Sequence, residues 1–169
     1  MRFAFFIALV SLLSVAECAA VFGQRNWVED ASRQIDLGNH EKALELLHKA
    51  IEQDPDNLDA YIKRAFVYAL LKEFDKAVDD YTSVIEKNGN LTYVYVSRGS
   101  AYNELGEFEK ALLDFNKALE IDPENAEAYN NRGWAKKGLG DKDGACADWK
   151  KSKKLGNEEA KIILKNNQC

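Results

Sequence analysis

An all-α chain of stacked helix pairs is what the sequence predicts, and three observations carry that expectation. The 169 residues hold only two prolines and ten glycines and are rich in Leu, Ala, Glu and Lys, which favours helix over strand or disordered linker. An offset of 34 residues aligns Ala43, Ala77, Ala111 and Ala145, and the same offset aligns Trp27 with Tyr61, Tyr95 and Tyr129. Within each period, two stretches of helical patterning flank a short turn, as at 92–105 and 108–121 around Gly106.

The first residues stand outside the repeat. Arg2 precedes an uncharged apolar run from Phe3 to Ala16, and small residues follow at Cys18, Ala19, Ala20 and Gly23. This is the pattern of a secretory signal peptide. The run is too short for a spanning helix, which needs roughly 18–20 apolar residues, and Glu17 interrupts it. Cleavage before Gln24 is expected, with a cut before Val21 as the alternative. Lipidation at Cys18 is disfavoured because Glu17 occupies the position before it. An uncleaved signal anchor is the rival reading, and only then is membrane contact expected. The chain is therefore read as exported, to a periplasm or the outside.

Residues 24–169 keep 22 basic against 27 acidic side chains, a net charge of −5. No sequence-wide basic field exists to bind phosphate backbones by counterion release, so nucleic acid is not an expected partner.

Four units tile the rest as 24–57, 58–91, 92–125 and 126–159. Small residues recur at Ala31, Ala65, Gly99 and Gly133, where the two helices of a unit must approach closely. Bulky residues recur at Leu47, Tyr81, Phe115 and Trp149 to fill the space around that contact. Gly38, Lys72, Gly106 and Gly140 fall in the turn between the helices. Pro55 and Pro123, each after an Asp, end the second helix of their units. Gly89 and Asn157 are expected to do so by adopting left-handed backbone. Residues 158–167 read as one more helix, with Ile162, Ile163 and Leu164 covering the face of the last pair.

The third unit, with Tyr95, Gly99, Tyr102, Gly106, Phe108, Ala111, Phe115, Ala118 and Pro123, resembles the tetratricopeptide repeat family over the whole of its signature. The resemblance spans 24–159 and implies a right-handed α-solenoid of four helix-turn-helix units, with residues 160–169 as a C-terminal capping helix. The end units depart from the pattern at Asp30, Gln34, Lys136, Lys142 and Ser152, where caps carry a polar outer face. If the last helix returns antiparallel to 142–154, Cys146 and Cys169 reach comparable heights at about 1.5 Å per residue, and a disulfide is expected. Two unrelated thiols are the alternative.

Nothing in the sequence nominates a catalytic residue, a metal site or a cofactor. His40 and His48 lie eight residues apart in one helix without a neighbouring cysteine, and no phosphate loop or nucleophile elbow is present. Gly138, Gly140 and Gly144 with Asp141 and Asp143 read as turn residues. Arg64, Arg98 and Arg132, matched by Asp80, Asp114 and Asp148 on the same period, read as a structural ion-pair ladder rather than an anion site. Asn90-Leu91-Thr92 is a glycosylation acceptor in a eukaryotic host.

The resemblance also implies a concave groove lined by the first helices. Its positions give Val28, Ser32 and Ile35; Ile62, Phe66, Ala69 and Leu70; Tyr93, Val96, Ser100, Asn103 and Glu104; and Glu127, Asn130, Trp134 and Lys137. Phe66 and Trp134 matter most, being large apolar residues where the signature requires none. The carboxylate clamp of co-chaperone repeat domains is absent. Its positions hold Val28, Ser32, Lys63, Tyr93 and Ser97 in one frame, and Ile62, Phe66, Ser97, Glu127 and Asn131 in the other. An exported, non-enzymatic adaptor that binds a protein or peptide with apolar side chains is the expected function. A structural subunit that self-associates through the solenoid ends is the alternative.

Overall fold

Helix-forming stretches punctuated by capping residues divide the chain into nine α-helices among the described residues, 26–169 of this computed structural model. Residues 1–25, with the expected signal peptide and both cleavage positions, lie outside the described residues. In order the helices are α1 (Trp27–Asp36), α2 (His40–Gln53), α3 (Leu58–Leu70), α4 (Phe74–Lys87), α5 (Thr92–Glu104), α6 (Phe108–Ile121), α7 (Ala126–Gly138), α8 (Lys142–Lys154) and α9 (Glu159–Asn166). Each packs against the helix before and the helix after it, while α1 also meets α3 and α5 meets α7. The fold is an all-α solenoid in which order along the chain is order in space.

The closest contacts fall where the small residues recur. A methyl group on Gly99 would lie 2.8 Å from Cε1 of Phe115, and one on Gly133 would lie 2.4 Å from Nε1 of Trp149. Both rings are buried against these glycines, and the Trp149 indole N–H donates to the Asn130 carbonyl at 3.1 Å. Burying such a ring contributes roughly 1.5–3 kcal/mol, so each small residue and its facing aromatic form one unit of stability. Gly138, expected in a turn, instead ends α7. A methyl group there would meet the Phe108 ring at 2.6 Å, so this glycine lets α7 pack against α6 of the preceding pair.

The turns within pairs share one geometry. Gly38, Lys72, Gly106 and Gly140 all have positive φ, at 74°, 60°, 76° and 85°. The next residue's N–H then reaches back to a last-turn carbonyl, as from Glu73 to Tyr68 at 2.8 Å and from Glu107 to Tyr102 at 2.9 Å. This closure satisfies helix-end carbonyls and requires the left-handed residue. Lys72 adopts it without glycine's freedom.

Between pairs the device differs from expectation. Gly89 and Asn157 are not left-handed; Gly156 is, at φ 98°. The link at Asn88 repeats the turn at Asp54 and Asp122, where the side chain accepts the N–H two residues on, at 3.2, 3.0 and 3.1 Å. The Asx turn is thus common to the three links, and at Asn88 it forms without the proline that follows Asp54 and Asp122. Asn157 accepts the Ala160 N–H at 3.2 Å and opens α9.

The charged columns form forked pairs inside the second, third and fourth helix pairs. Arg64 donates to both carboxylate oxygens of Asp80 at 2.8 and 2.7 Å, Arg98 to Asp114 at the same distances, and Arg132 to Asp148 at 2.8 Å twice. Each guanidinium also lies over a tyrosine, with Arg64 5.4 Å from Tyr61, Arg98 5.9 Å from Tyr95 and Arg132 5.3 Å from Tyr129. Arg98 also donates to Thr82 at 3.0 Å and Arg132 to Asn116 at 2.7 Å, tying a pair to the one before it. The hydrogen bond to the aspartate raises each arginine pKa above its usual value against the opposing effect of burial, so the charge is permanent.

At the C-terminal end, Cys146 and Cys169 stand at disulfide distance, with Cα atoms 5.5 Å apart. Ile163 is buried with Ala145 and Trp149, and Leu164 packs against the same cluster. Ile162 does not cover the last pair as expected; it is 63% exposed, one helical step away from the buried stripe.

Three outcomes follow in unfolding experiments. Lys72→Gly raises stability by about 1 kcal/mol by removing the left-handed backbone cost, measured by denaturant unfolding. Asp114→Ala costs about 3 kcal/mol, because it takes the forked partner from the part-buried Arg98, while the paired change Arg98→Met with Asp114→Leu recovers most of that loss. Reduction of the Cys146–Cys169 link lowers the midpoint of thermal unfolding, the loss of stability reaching up to about 3 kcal/mol in the loop-entropy account; two titratable thiols in protein taken from its native compartment would show that no link forms.

Candidate functional site

The spacing of Ile35, Ile62, Phe66 and Tyr93 places them on the open faces of α1, α3 and α5, and the solenoid curves these faces around a cleft of about 370 Å³. Ser32 completes the expected residues found there. Phe66 is 47% exposed and Tyr93 52%, although both belong to helices whose other faces are buried. An aromatic left half in water on a concave wall has apolar area to give to a partner.

The cleft contains groups absent from the sequence-based inventory. Asp36 and Asp59 line it, at the thirteenth and second places of their units, the same positional rule that selected the apolar residues. Asp59 faces Lys63 at 3.7 Å. Tyr81 reaches in from α4; its phenol bonds to Ser97, and burial pushes its pKa above the usual tyrosine value, so it stays neutral. Tyr81 belongs to the bulky column of the second helices, and no one-dimensional signal separates its packing role from its place in the cleft wall. The resulting surface is mainly apolar, with the Asp36 carboxylate and the Asp59–Lys63 ion pair in its lining.

The remaining expected positions divide between core and surface. Val96 and Asn130 are buried at 4% and 3% exposure, so neither faces a partner. Val96 packs with Tyr95, Ala111 and Phe115, because the neighbouring pair covers α5 where the family position would be open. Asn130 carries the carbonyl that accepts the Trp149 indole, and its amide lies 3.4 Å from Glu159. Asn103 is engaged as well, donating to the Asn131 carbonyl at 2.9 Å, while Asn131 donates to Ser100 at 3.0 Å. These amides join α5 to α7. Val28 is half-buried against the Ala31 and Ala43 cluster, and Leu70 is 47% exposed at the end of α3.

Trp134 stands apart from the cleft. Its ring meets Trp149 edge-on at 5.2 Å, and the Lys137 ammonium lies 4.8 Å above it, held by Asn167 at 2.6 Å. With 38% of its surface exposed, it is half packing element and half open surface. His40 and His48 sit in α2, where His48 Nδ1 lies 2.6 Å from the Leu44 carbonyl and Nε2 lies 3.5 Å from the Tyr68 hydroxyl.

Three family models match the chain: tetratricopeptide repeat models over residues 34–90 and 126–159, and a TPR repeat model over 99–140. Together they account for well over half of its length. No curated protein matches the chain. Among solved structures, a crystal structure of MamA is 27% identical, with a TM-score of 0.73 over 80% of this chain and 79% of that one. MamA 41-end from Desulfovibrio magneticus RS-1 is 20% identical, with a TM-score of 0.73 over 76% and 73%. A thermophilic TPR protein in Thermus thermophilus is 21% identical, with a TM-score of 0.68 over 80% and 75%. The last two are likenesses of fold alone. With the matched repeats, the solenoid and its open concave wall in hand, the chain belongs to the tetratricopeptide repeat family and is, in general terms, a protein-interaction scaffold.

Proposed function

We propose that this chain is an exported, non-enzymatic adaptor that holds an apolar peptide or protein segment in the cleft formed by α1, α3 and α5. One observation carries the reading: Phe66 and Tyr93 are half-exposed side by side with Ile62 in a single concave cleft, at places where packing of the repeat demands no aromatic. The lining favours side chains over termini. It offers Asp36 and an Asp59–Lys63 pair in place of a basic clamp, so a C-terminal carboxylate gains nothing there. Isoleucine, phenylalanine and tyrosine surfaces instead accept an amphipathic helix or an extended strand with apolar side chains.

Export rests on the sequence of residues 1–23, with Arg2, the apolar run and the small residues before Gln24. An exported adaptor needs no cofactor and works by apposition. Trp134, outside the cleft, offers a second, smaller contact for a partner long enough to reach it.

The test pairs wild type with Phe66→Glu and Tyr93→Glu, together, as baits against envelope and secreted fractions and against a displayed peptide library. Melting is expected to move by no more than about 0.5 kcal/mol, as for surface substitutions. Peptides rich in apolar residues are retained by wild type and lost by the double variant. Equal retention by both baits would remove the cleft from the account, and a collapse of melting would assign the two rings to the core.

A further inference from the structure

The net charge of −5 conceals a polar distribution along the solenoid. Residues 26–125 carry 11 Lys and Arg against 21 Asp and Glu, whereas residues 126–169 carry 10 against 6. The excess gathers at a cleft of about 570 Å³ between the end of α8 and α9, lined by Lys150, Lys153, Lys154, Lys161 and Lys165 with Leu164 and Cys169. In the first three helix pairs every lysine except Lys72 has a carboxylate between 2.5 and 3.7 Å away. At the cleft only Lys161 is paired, with Glu158, and Lys150, Lys153, Lys154 and Lys165 have no carboxylate partner among the described residues.

Helix electrostatics explain part of the cluster. Lys153 and Lys154 end α8 and complement its dipole. Lys150 lies a turn earlier and Lys161 lies in the first turn of α9, where the dipole disfavours a cation. Lys150 and Lys154 are also like charges at i,i+4, which repel. The cluster therefore stores repulsion that an anionic partner would relieve.

We propose that this end of the solenoid docks on an anionic phospholipid bilayer surface. The lysines are exposed and none is accompanied by an arginine fork, so they suit an extended field of charge better than one enclosed phosphate. Ile162, 63% exposed on α9 between Lys161 and Lys165 in sequence, lies outside the cleft lining and supplies the apolar contact of an interfacial helix. Among the described residues no helix is long and apolar enough to cross a membrane. The acidic pairs do not oppose it. Stacked helices add about 8–10 Å per layer, and the Debye length near 8 Å screens charges held further away. The chain would stand end-on, with the cleft of Phe66 and Tyr93 held away from the surface.

The experiment is co-sedimentation of the full chain with vesicles of phosphatidylcholine alone and of phosphatidylcholine with phosphatidylglycerol, across a salt series. Wild type and variants share Arg2 and the apolar segment Phe3–Ala16, so the part of the phosphatidylglycerol increment lost on substitution reads the lysine end. Each lysine near an anionic surface contributes about fivefold, so Lys150→Gln, Lys153→Gln and Lys154→Gln together weaken that increment on the order of a hundredfold. Melting of this variant stays close to wild type, because none of the three holds an ion pair and the lost dipole complement is offset by the relieved repulsion. Ile162→Asn weakens binding without altering the salt slope. Equal binding to both lipids, or an increment that survives in the triple variant, overturns the proposal. So does a salt-dependent rise in mass without lipid that the triple variant abolishes, which would seat a second copy of the chain on the lysines.

Discussion

Close approach between the two helices of each pair is the constraint on which the rest of this structure depends. At Gly99 and Gly133 there is no room for a methyl group, because Phe115 and Trp149 occupy that space. The small residue and the ring are one feature seen from two helices. Once the pair is locked at this distance, the arginine on its first helix falls opposite the aspartate on its second. The forked ion pairs of Arg64, Arg98 and Arg132 are therefore consequences of the packing, and they fix its register rather than drive it.

The same constraint decides which faces remain free. Second helices turn their apolar stripes inward, and the first helices keep one face on the concave side. How much of that face stays open depends on the next pair. Over α1, α3 and α5 the side chains leave a cleft with Phe66 and Tyr93 in it. Between α5 and α7 the interval is bridged by Asn103, Asn131 and Ser100, and Val96 is covered. Polar side chains that join two first helices remove surface from a partner while stiffening the array.

The fold was largely legible in one dimension because a 34-residue period repeats the same physical demands, and each helix pair states its packing rule again in different residues. Legibility failed where a residue answers to its neighbours rather than to its place in the unit. Asn130 holds a groove position by spacing, yet its carbonyl is claimed by Trp149 and its side chain is buried. Gly89 looked like a left-handed stop, but Asn88 makes the turn with its own side chain. Tyr81, a core residue by period, reaches the cleft wall because the solenoid curves there. Ile162 and Ile163 are adjacent in sequence, and only the docking angle of α9 decides which one is buried.

Charge shows the same limit in another form. A mean of −5 argues correctly against a chain-wide cationic field, but electrostatic recognition is local, since screening in salt confines it to about 8–10 Å. A solenoid is longer than that. Its two ends consequently behave as separate electrostatic objects, one acidic with nearly all its lysines paired, the other basic with four cleft lysines lacking a carboxylate among the described residues. The lysines come from 150–154 and 161–165, two stretches that the turn at Gly156 brings onto one cleft. A linear fold thus permits what an averaged composition hides: a concave wall suited to apolar side chains and, at the far end, a surface suited to anions, each beyond the reach of the other's field.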